Sequence, residues 1–456
     1  MSLLRRLTSA AMAATLLVSS GAAPSQAQGR GESLNLISDA EIQHTIRNFA
    51  EPIFTAAGLS TESVQVHIVN NRSLNAFVAG GQRIFIFTGL LTEADTPEQI
   101  MGVIAHETGH IAGGHLVRVQ EAMRAATIQS VIGMLIGAAA IAGGGGGSSG
   151  NAGVGVLAGG AQMGQQSLLQ YSRTQEAVAD QAGLKFLTES GVTGRGLLEV
   201  MRKLSNQEAL LPESQDPYVR SHPLTRDRIQ SLQTQVEASP YRDTPSRPDD
   251  VVAFQRMKAK LIGFLTPEKV AKDYPASDTS VPARYARAIA YHRGARIDLA
   301  LQELNGLIAE SPGDPFFQEL KGQILYEAGR SAEAIEPYRR SVELLPQEPL
   351  LRLGLAQAEI ALNDQNLNRD AIQHLEIATR ADPDLIDGWR NLAIAYGRDQ
   401  NFGMSSVASA ERALRTGRRE EARSHASRAE RELPFGSPGY LRAQDILNAS
   451  RPLPRR

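Results

Sequence analysis

Cysteine is missing altogether from the 456 residues. That excludes disulfides, thiol nucleophiles and every zinc site built on sulfur, so a bound metal must rely on histidine and carboxylate. A dominant charge is missing too. The 47 basic and 49 acidic residues leave a net charge of −2, which gives no global basic field to gather nucleic acid. Long apolar runs are also lacking. After the first few dozen residues none reaches the roughly 18 apolar residues of a membrane span, which disfavours an integral-membrane protease. What remains, 42% hydrophobic and 21% charged, suits a water-soluble globular chain of two or three domains.

The N-terminus has the pattern of a secretory signal. Arg5 and Arg6 form a charged start, Ala10 to Val18 a short apolar core, and Ser25-Gln26-Ala27 supplies small residues for cleavage after Ala27. No cysteine follows to carry a lipid. An exported chain without disulfides fits a bacterial periplasm.

Residues 28–239 carry mixed signals. Ser38-Asp39 predicts the cap of a helix running to about Ala57, with Ile42, Ile46, Phe49, Ile53 and Phe54 at helical spacing. Val64 to Val69 and Arg83 to Thr88 alternate as strands, and Asn75 to Ala79, before the turn Gly80-Gly81, reads as a hairpin partner. The strand Arg83 to Thr88 is the expected edge on which an extended peptide would be held. Ala125 to Ala142 is apolar and Gly143 to Gly164 is glycine-rich. A buried helix with a plain loop, and a lid or membrane-touching flap, are both open readings of that segment.

At the centre stands His106-Glu107-Thr108-Gly109-His110, in a helical pattern from Glu98 to Val117. Residues four apart on a helix share a face, so His106 and His110 can grip one Zn²⁺ per chain. Glu107 lies beside them as a general base for water. A catalytic zinc needs a third protein ligand. A histidine six residues after the second ligand would supply it in one known pattern, but that position is Leu116. His115 falls on the opposite side of the extrapolated helix and reads as structural or solvent-facing. Glu176, with Asp180 one turn on as an orienter, and His222, between Ser221 and Pro223, are the remaining sources.

A proline-rich, charged stretch, Pro240 to Asp250, marks a linker, and Phe254 to Leu265 one connecting helix; together residues 240–280 join two domains. From 281 to 450 strand signals vanish. Pro312 and Pro346, Ala300 and Ala334, and Arg296 and Arg330 are each 34 residues apart. The next copy is offset by 37 residues, from Pro346 to Pro383, with the extra residues expected in a turn at Asn363 to Asn368. Trp389, Leu392, Ala393 and Tyr396 have the spacing of a tetratricopeptide first helix. An all-α tetratricopeptide-repeat solenoid with a protein-binding groove is expected.

The stretch Asn75 to Arg228 resembles metallopeptidase family 48, the group of HtpX-type heat-shock proteases and CAAX prenyl endopeptidases. Asn75-Ala76-Phe77, Gly80-Gly81, the His106 to His110 motif, Glu176 to Asp180, and Ser221-His222-Pro223 with Arg226 and Arg228 carry the likeness. The resemblance implies a gluzincin-like α+β metallopeptidase, mostly helical with a small sheet. It implies His106, His110 and Glu176 as zinc ligands, Glu107 as catalytic base and acid, Asp180 as orienter, and His222 near the metal. His222 would either stabilise the oxyanion or block the open position. With the export signal and repeats, the resemblance implies a periplasmic endopeptidase acting on unfolded or misassembled outer-membrane β-barrel proteins, with the assembly machinery as a partner on the repeats. A chaperone or assembly adaptor with minor proteolysis is the competing expectation.

Overall fold

The structure, a computed structural model, describes residues 34–115, 172–205, 222 and 224–451. The expected signal, the apolar and glycine-rich stretches Ala125 to Ala142 and Gly143 to Gly164, Ser221 and Pro223 lie outside the described residues. Among those described, no helix is long and apolar enough to cross a membrane.

A small mixed sheet comes first. Its strands are β1 (Leu36–Ile37), β2 (Gln65–Val69), β3 (Ala76–Ala79) and β4 (Arg83–Phe87), in the order β1-β2-β4-β3. β4 pairs with β2 in parallel and with β3 antiparallel. This corrects the expectation for Arg83 to Thr88. β4 is paired on both sides, so it is no edge, and Thr88 already begins the next helix. The edge strand beside it is β3. Alternation puts Ile68, Ile84, Ile86, Val78 and Ala76 into the core. On the opposite face His67, Phe85 and Phe77 stack across three strands, at centroid separations of 5.0 and 4.9 Å.

The core face is covered by α1 (Ala40–Ala56) and α3 (Pro97–Ala112), with the short α2 (Thr88–Glu93) between sheet and α3. Asp39 caps α1 through the N–H of Ile42. Pro97 opens α3 at its first turn, where a missing N–H costs nothing. Helix α4 is described over 172–189. It is followed by α5 (Arg195–Ser205) and α6 (Arg226–Ala238). The expected helix to Val117 stops short, because Gly113 caps α3 and Gly114 takes φ +62°.

The rest is helical: α7 (Pro248–Leu265), α8 (Pro267–Asp273), α9 (Val281–Arg293), α10 (Ile297–Glu310), α11 (Pro315–Glu327), α12 (Ser331–Leu344), α13 (Pro349–Ala361), α14 (Gln365–Ala381), α15 (Ile386–Arg398), α16 (Phe402–Arg415), α17 (Arg419–Glu432) and α18 (Pro438–Ala449). Each from α9 onward packs on its sequence neighbour. Helix α7 claims part of the expected linker, with Pro248 in its first turn. Helices α9, α11, α13 and α15 start at 281, 315, 349 and 386, so the spacings are 34, 34 and 37. The three extra residues do not fall in a turn. They lengthen α14 to 17 residues, where α10 and α12 have 14.

An ionic cluster fastens α1 to the helical region. Buried Lys260 of α7 lies 2.8 Å from Asp39, 3.3 Å from Glu41 and 3.5 Å from Glu319. Arg256 bridges Glu41 at 2.6 Å and Asp314 at 2.5 Å, over the ring of Phe317. The Tyr285 hydroxyl donates to Glu41 at 2.7 Å. Four carboxylates thus share two cations. Burial raises the Glu319 carboxyl from 4.5 to about 7, with Lys260 opposing and Asp39 and Glu41 adding to the rise. Its folded pKa exceeds its unfolded one, so folding is unpenalised below about 4.5 and loses stability as pH rises toward 7. Glu319→Gln should therefore gain thermal stability relative to wild type between pH 5 and pH 8. Melting curves at those two pH values check this, and a difference that does not change with pH contradicts it.

Candidate metal centre

Two helices build the site by touching backbone to backbone. A Cβ on Gly109 of α3 would stand 2.6 Å from the Ala179 carbonyl oxygen of α4, and one on Gly183 would stand 3.1 Å from the His106 nitrogen. At Gly109 a methyl would force the helices apart, and at Gly183 it would fit only tightly. Residues four apart then do the rest. His106 and His110 lie one turn apart on α3, Glu176 and Asp180 one turn apart on α4, and all point into the same gap.

Their donor atoms converge. His106 Nε2 is 3.1 Å from His110 Nε2 and 3.4 Å from a Glu176 oxygen. His110 Nε2 is 3.4 Å from the other Glu176 oxygen. His222 joins them, with Nδ1 3.3 Å from His106 Nε2 and 3.1 Å from Glu176. All four residues offer a ligand atom within 4.8 Å of the others. Donors 2.0–2.1 Å from a tetrahedral zinc would stand about 3.3 Å apart. The separations here match that edge, and the imidazole and carboxylate donors are those zinc accepts. The residues present fit the ion.

Behind the donors lies a second layer. His106 Nδ1 meets Asp180 at 2.9 Å. Asp180 in turn accepts two bonds from Arg228 of α6, at 2.7 and 2.9 Å. Arg228 also reaches Glu176 at 3.2 Å. Burial disfavours charge on His106, but the carboxylates of Asp180 and Glu176 outweigh it and raise this imidazole to about 10. Burial and the neighbouring His106 push His110 down to about 2. Burial would raise both carboxyls, yet His222 and His106 hold Glu176, and His106 and Arg228 hold Asp180, below the usual carboxylate range.

Glu107 is fully buried beside the cluster, with one oxygen 3.5 Å from His222 Nε2. Among the described residues neither of its oxygens has a hydrogen-bond partner. Burial raises its carboxyl, with His222 and His106 opposing. A carboxylate so placed can receive and return a proton.

The structure brings together all six residues singled out from the sequence: His106, Glu107, His110, Glu176, Asp180 and His222. Arg228 was legible only as part of a motif, and its bidentate hold on Asp180 was not. The solvent-facing option for His115 is corrected. It is buried, with Nδ1 2.9 Å from His110 Nδ1. The turn at Gly113-Gly114 ends the helical periodicity on which that option rested.

A small mixed sheet, a helix bearing H-E-x-x-H and a clustered His/His/Glu motif define a zinc metallopeptidase. Residues 37–236 match the model of Peptidase family M48, and that segment is an M48-family metallopeptidase domain. Over a longer span the chain is similar to the β-barrel assembly-enhancing protease of Yersinia pestis. The two are 25% identical over 413 residues, 89% of this chain and 82% of that one. Against the protein of that name in Escherichia coli (strain K12), identity is 25% over 435 residues, 93% of this chain and 86% of the relative. The metalloprotease LoiP of the same strain is 28% identical over 181 residues, 40% of this chain and 66% of LoiP.

Gly109→Ala tests the backbone contact. In an exposed helix alanine is favoured over glycine by about 1 kcal/mol. Here the added methyl meets a carbonyl at 2.6 Å, so a loss of roughly 1–3 kcal/mol is expected, together with weaker zinc binding. Denaturant melts and zinc titration measure both. A stabilised variant with unchanged zinc affinity would show that the helices have room to part.

Proposed function

We propose that the chain is a periplasmic zinc endopeptidase of outer-membrane protein quality control, with residues 28–239 as the peptidase and 281–450 as a tetratricopeptide solenoid that recruits protein partners. The observation that carries the peptidase reading is the set of donor separations at His106, His110, Glu176 and His222, matched to one tetrahedral ion. His106, His110 and Glu176 are the ligands, with one zinc per chain. When bound there, zinc supplies a Lewis acid for the scissile carbonyl and lowers the pKa of a water to about 7. Glu107 takes the proton of the attacking water on a carboxylate oxygen and hands it to the leaving amine. Asp180, fixed by Arg228, keeps the His106 ring aimed. The substrate lies extended along β3, which borders α3 and pairs only on its β4 side among the described residues.

The wider role rests on the similarity to the β-barrel assembly-enhancing proteases, which spans most of both chains. Misassembled β-barrel proteins expose unpaired strands, which suit capture at a sheet edge. The 34-residue helix spacing and the neighbour-on-neighbour packing support the solenoid. The export pattern ending at Ala27 supports the location.

Purified Glu107→Gln should keep one zinc per chain and lose cleavage of an unfolded protein by roughly 10²–10⁴-fold. Cleavage at the wild-type rate would remove Glu107 from the chemistry. A cellular defect fully rescued by this variant would favour the adaptor reading instead.

His222 fills the fourth donor position, so we assign it the blocking role. His222→Ala should raise the rate of proteolysis at unchanged zinc content. A variant that binds zinc yet loses activity would make His222 an oxyanion donor.

A further inference from the structure

His110 is held from behind by another histidine. Its Nε2 faces the donor cluster, 3.1 Å from His106 Nε2. Its Nδ1, the nitrogen on the far side of the ring, lies 2.9 Å from His115 Nδ1, and the two rings stand at 80° with centroids 4.9 Å apart. The contact repeats in form what Asp180 does for His106, whose Nδ1 also points away from the cluster and meets its partner at 2.9 Å. One ring is backed by a carboxylate, the other by an imidazole.

The chain is shaped to make this contact. Gly113 ends α3, and Gly114 at φ +62° turns the backbone so that His115 folds back over the helix end. A Cβ on Gly113 would lie 2.3 Å from His115 Nε2 and 2.6 Å from its Cδ2. The imidazole therefore occupies the space a side chain at 113 would take. His115 is as buried as Glu176 and Asp180, at 3% exposure.

We propose that His115 is a positioning residue for the metal centre, fixing the tautomer and orientation of His110. This rests on the reading of His110 as a ligand. To present a lone pair at Nε2, His110 must carry its proton on Nδ1. That proton can be donated to His115 Nδ1 only if His115 carries its own on Nε2. His115 then acts as a hydrogen-bond acceptor at a fixed distance, and the pair Gly113-Gly114 acts as its hinge. A neutral acceptor polarises the ring less than a carboxylate does, so His110 is the softer-held of the two imidazole ligands.

The test is zinc affinity, measured by competition with a chromogenic chelator on the full chain, with circular dichroism to confirm folding. His115→Ala should weaken zinc binding roughly 10–100-fold, the usual effect of losing a partner behind a ligand. His115→Asn places an amide oxygen near the position of Nδ1 and should restore most of the affinity. Gly113→Ala should mimic His115→Ala in the wild type and add nothing in the His115→Ala background. A folded His115→Ala with wild-type affinity, or an asparagine variant as weak as the alanine one, overturns the assignment. His110→Ala separates the two levels. If it binds zinc as tightly as wild type, the ligand reading itself is wrong. If it loses zinc while His115→Ala keeps it, only the positioning role falls.

Discussion

The metal centre depends on a contact between two helix backbones. His106 and His110 on one helix and Glu176 on the other meet in one gap because the two helices run at backbone contact. Gly109 against Ala179 and Gly183 against the Ala105–His106 peptide leave room for that contact. The same device works on the flank of α3 that meets α5, where a Cβ on Gly102 would stand 2.5 Å from the Leu197 nitrogen and one on Gly196 2.1 Å from the Glu98 carbonyl oxygen. Helix α3 is thus wedged between α4 and α5, with the sheet nearby, and His106 and Glu107 have no exposure. Buried polar groups of this kind are costly unless each finds a partner. Asp180 stands 2.9 Å behind His106 and His115 2.9 Å behind His110, while among the described residues Glu107 has no hydrogen-bond donor. Among the described carboxylates of the site, Glu107 is not tied down, and it is the one placed to move a proton.

How much of this was legible in the chain follows from how far each signal reaches. The spacing of His106 and His110 is local, and helix geometry alone puts both on one face. Glu176 and Asp180 have the same spacing, but nothing within α4 says that it lies against α3. Only the resemblance linked them. Of the two readings of His115, the solvent-facing one fails because it extends the helical period across Gly113-Gly114, where the helix has ended. Arg228 carries no local mark, since an arginine in the first turn of α6 looks like any exposed cation.

The sheet shows the same limit. Alternation marked β2, β3 and β4 as strands, and the turn at Gly80-Gly81 paired β3 with β4. The third relation was invisible. After β2 the chain crosses to the far edge to make β3, then returns to lay β4 between them, parallel to β2. An alternating pattern reports which face is buried and is silent on which neighbour sits at either side. In the helical region the repeat offset was correct and its placement was not. A 37-residue spacing was assigned to a turn rich in asparagine, yet those residues continue the helical register and α14 absorbs them.

The ionic cluster at Lys260 ties these parts into one frame. A well-packed apolar junction would hold α1 to α7, α9 and α11 as firmly, since buried charges recover little beyond their desolvation cost. What charges add is a single permitted arrangement, because sliding α1, α7 or α11 leaves a buried carboxylate without its cation, and sliding α9 takes the Tyr285 hydroxyl from Glu41. The consequence reaches the sheet. Helix α1 packs on β2, and the His44 ring lies 5.6 Å from Phe316 of α11. Gln65 at the start of β2 reaches Asp384, just before α15, at 3.5 Å. The β2 side of the sheet is therefore turned toward the helical region, and the β3 side toward the metal-bearing helix. Among the described residues the helical region is anchored at the β2 side, through α1 and Gln65, and the β3 edge lies on the side of the helix that bears His106 and His110.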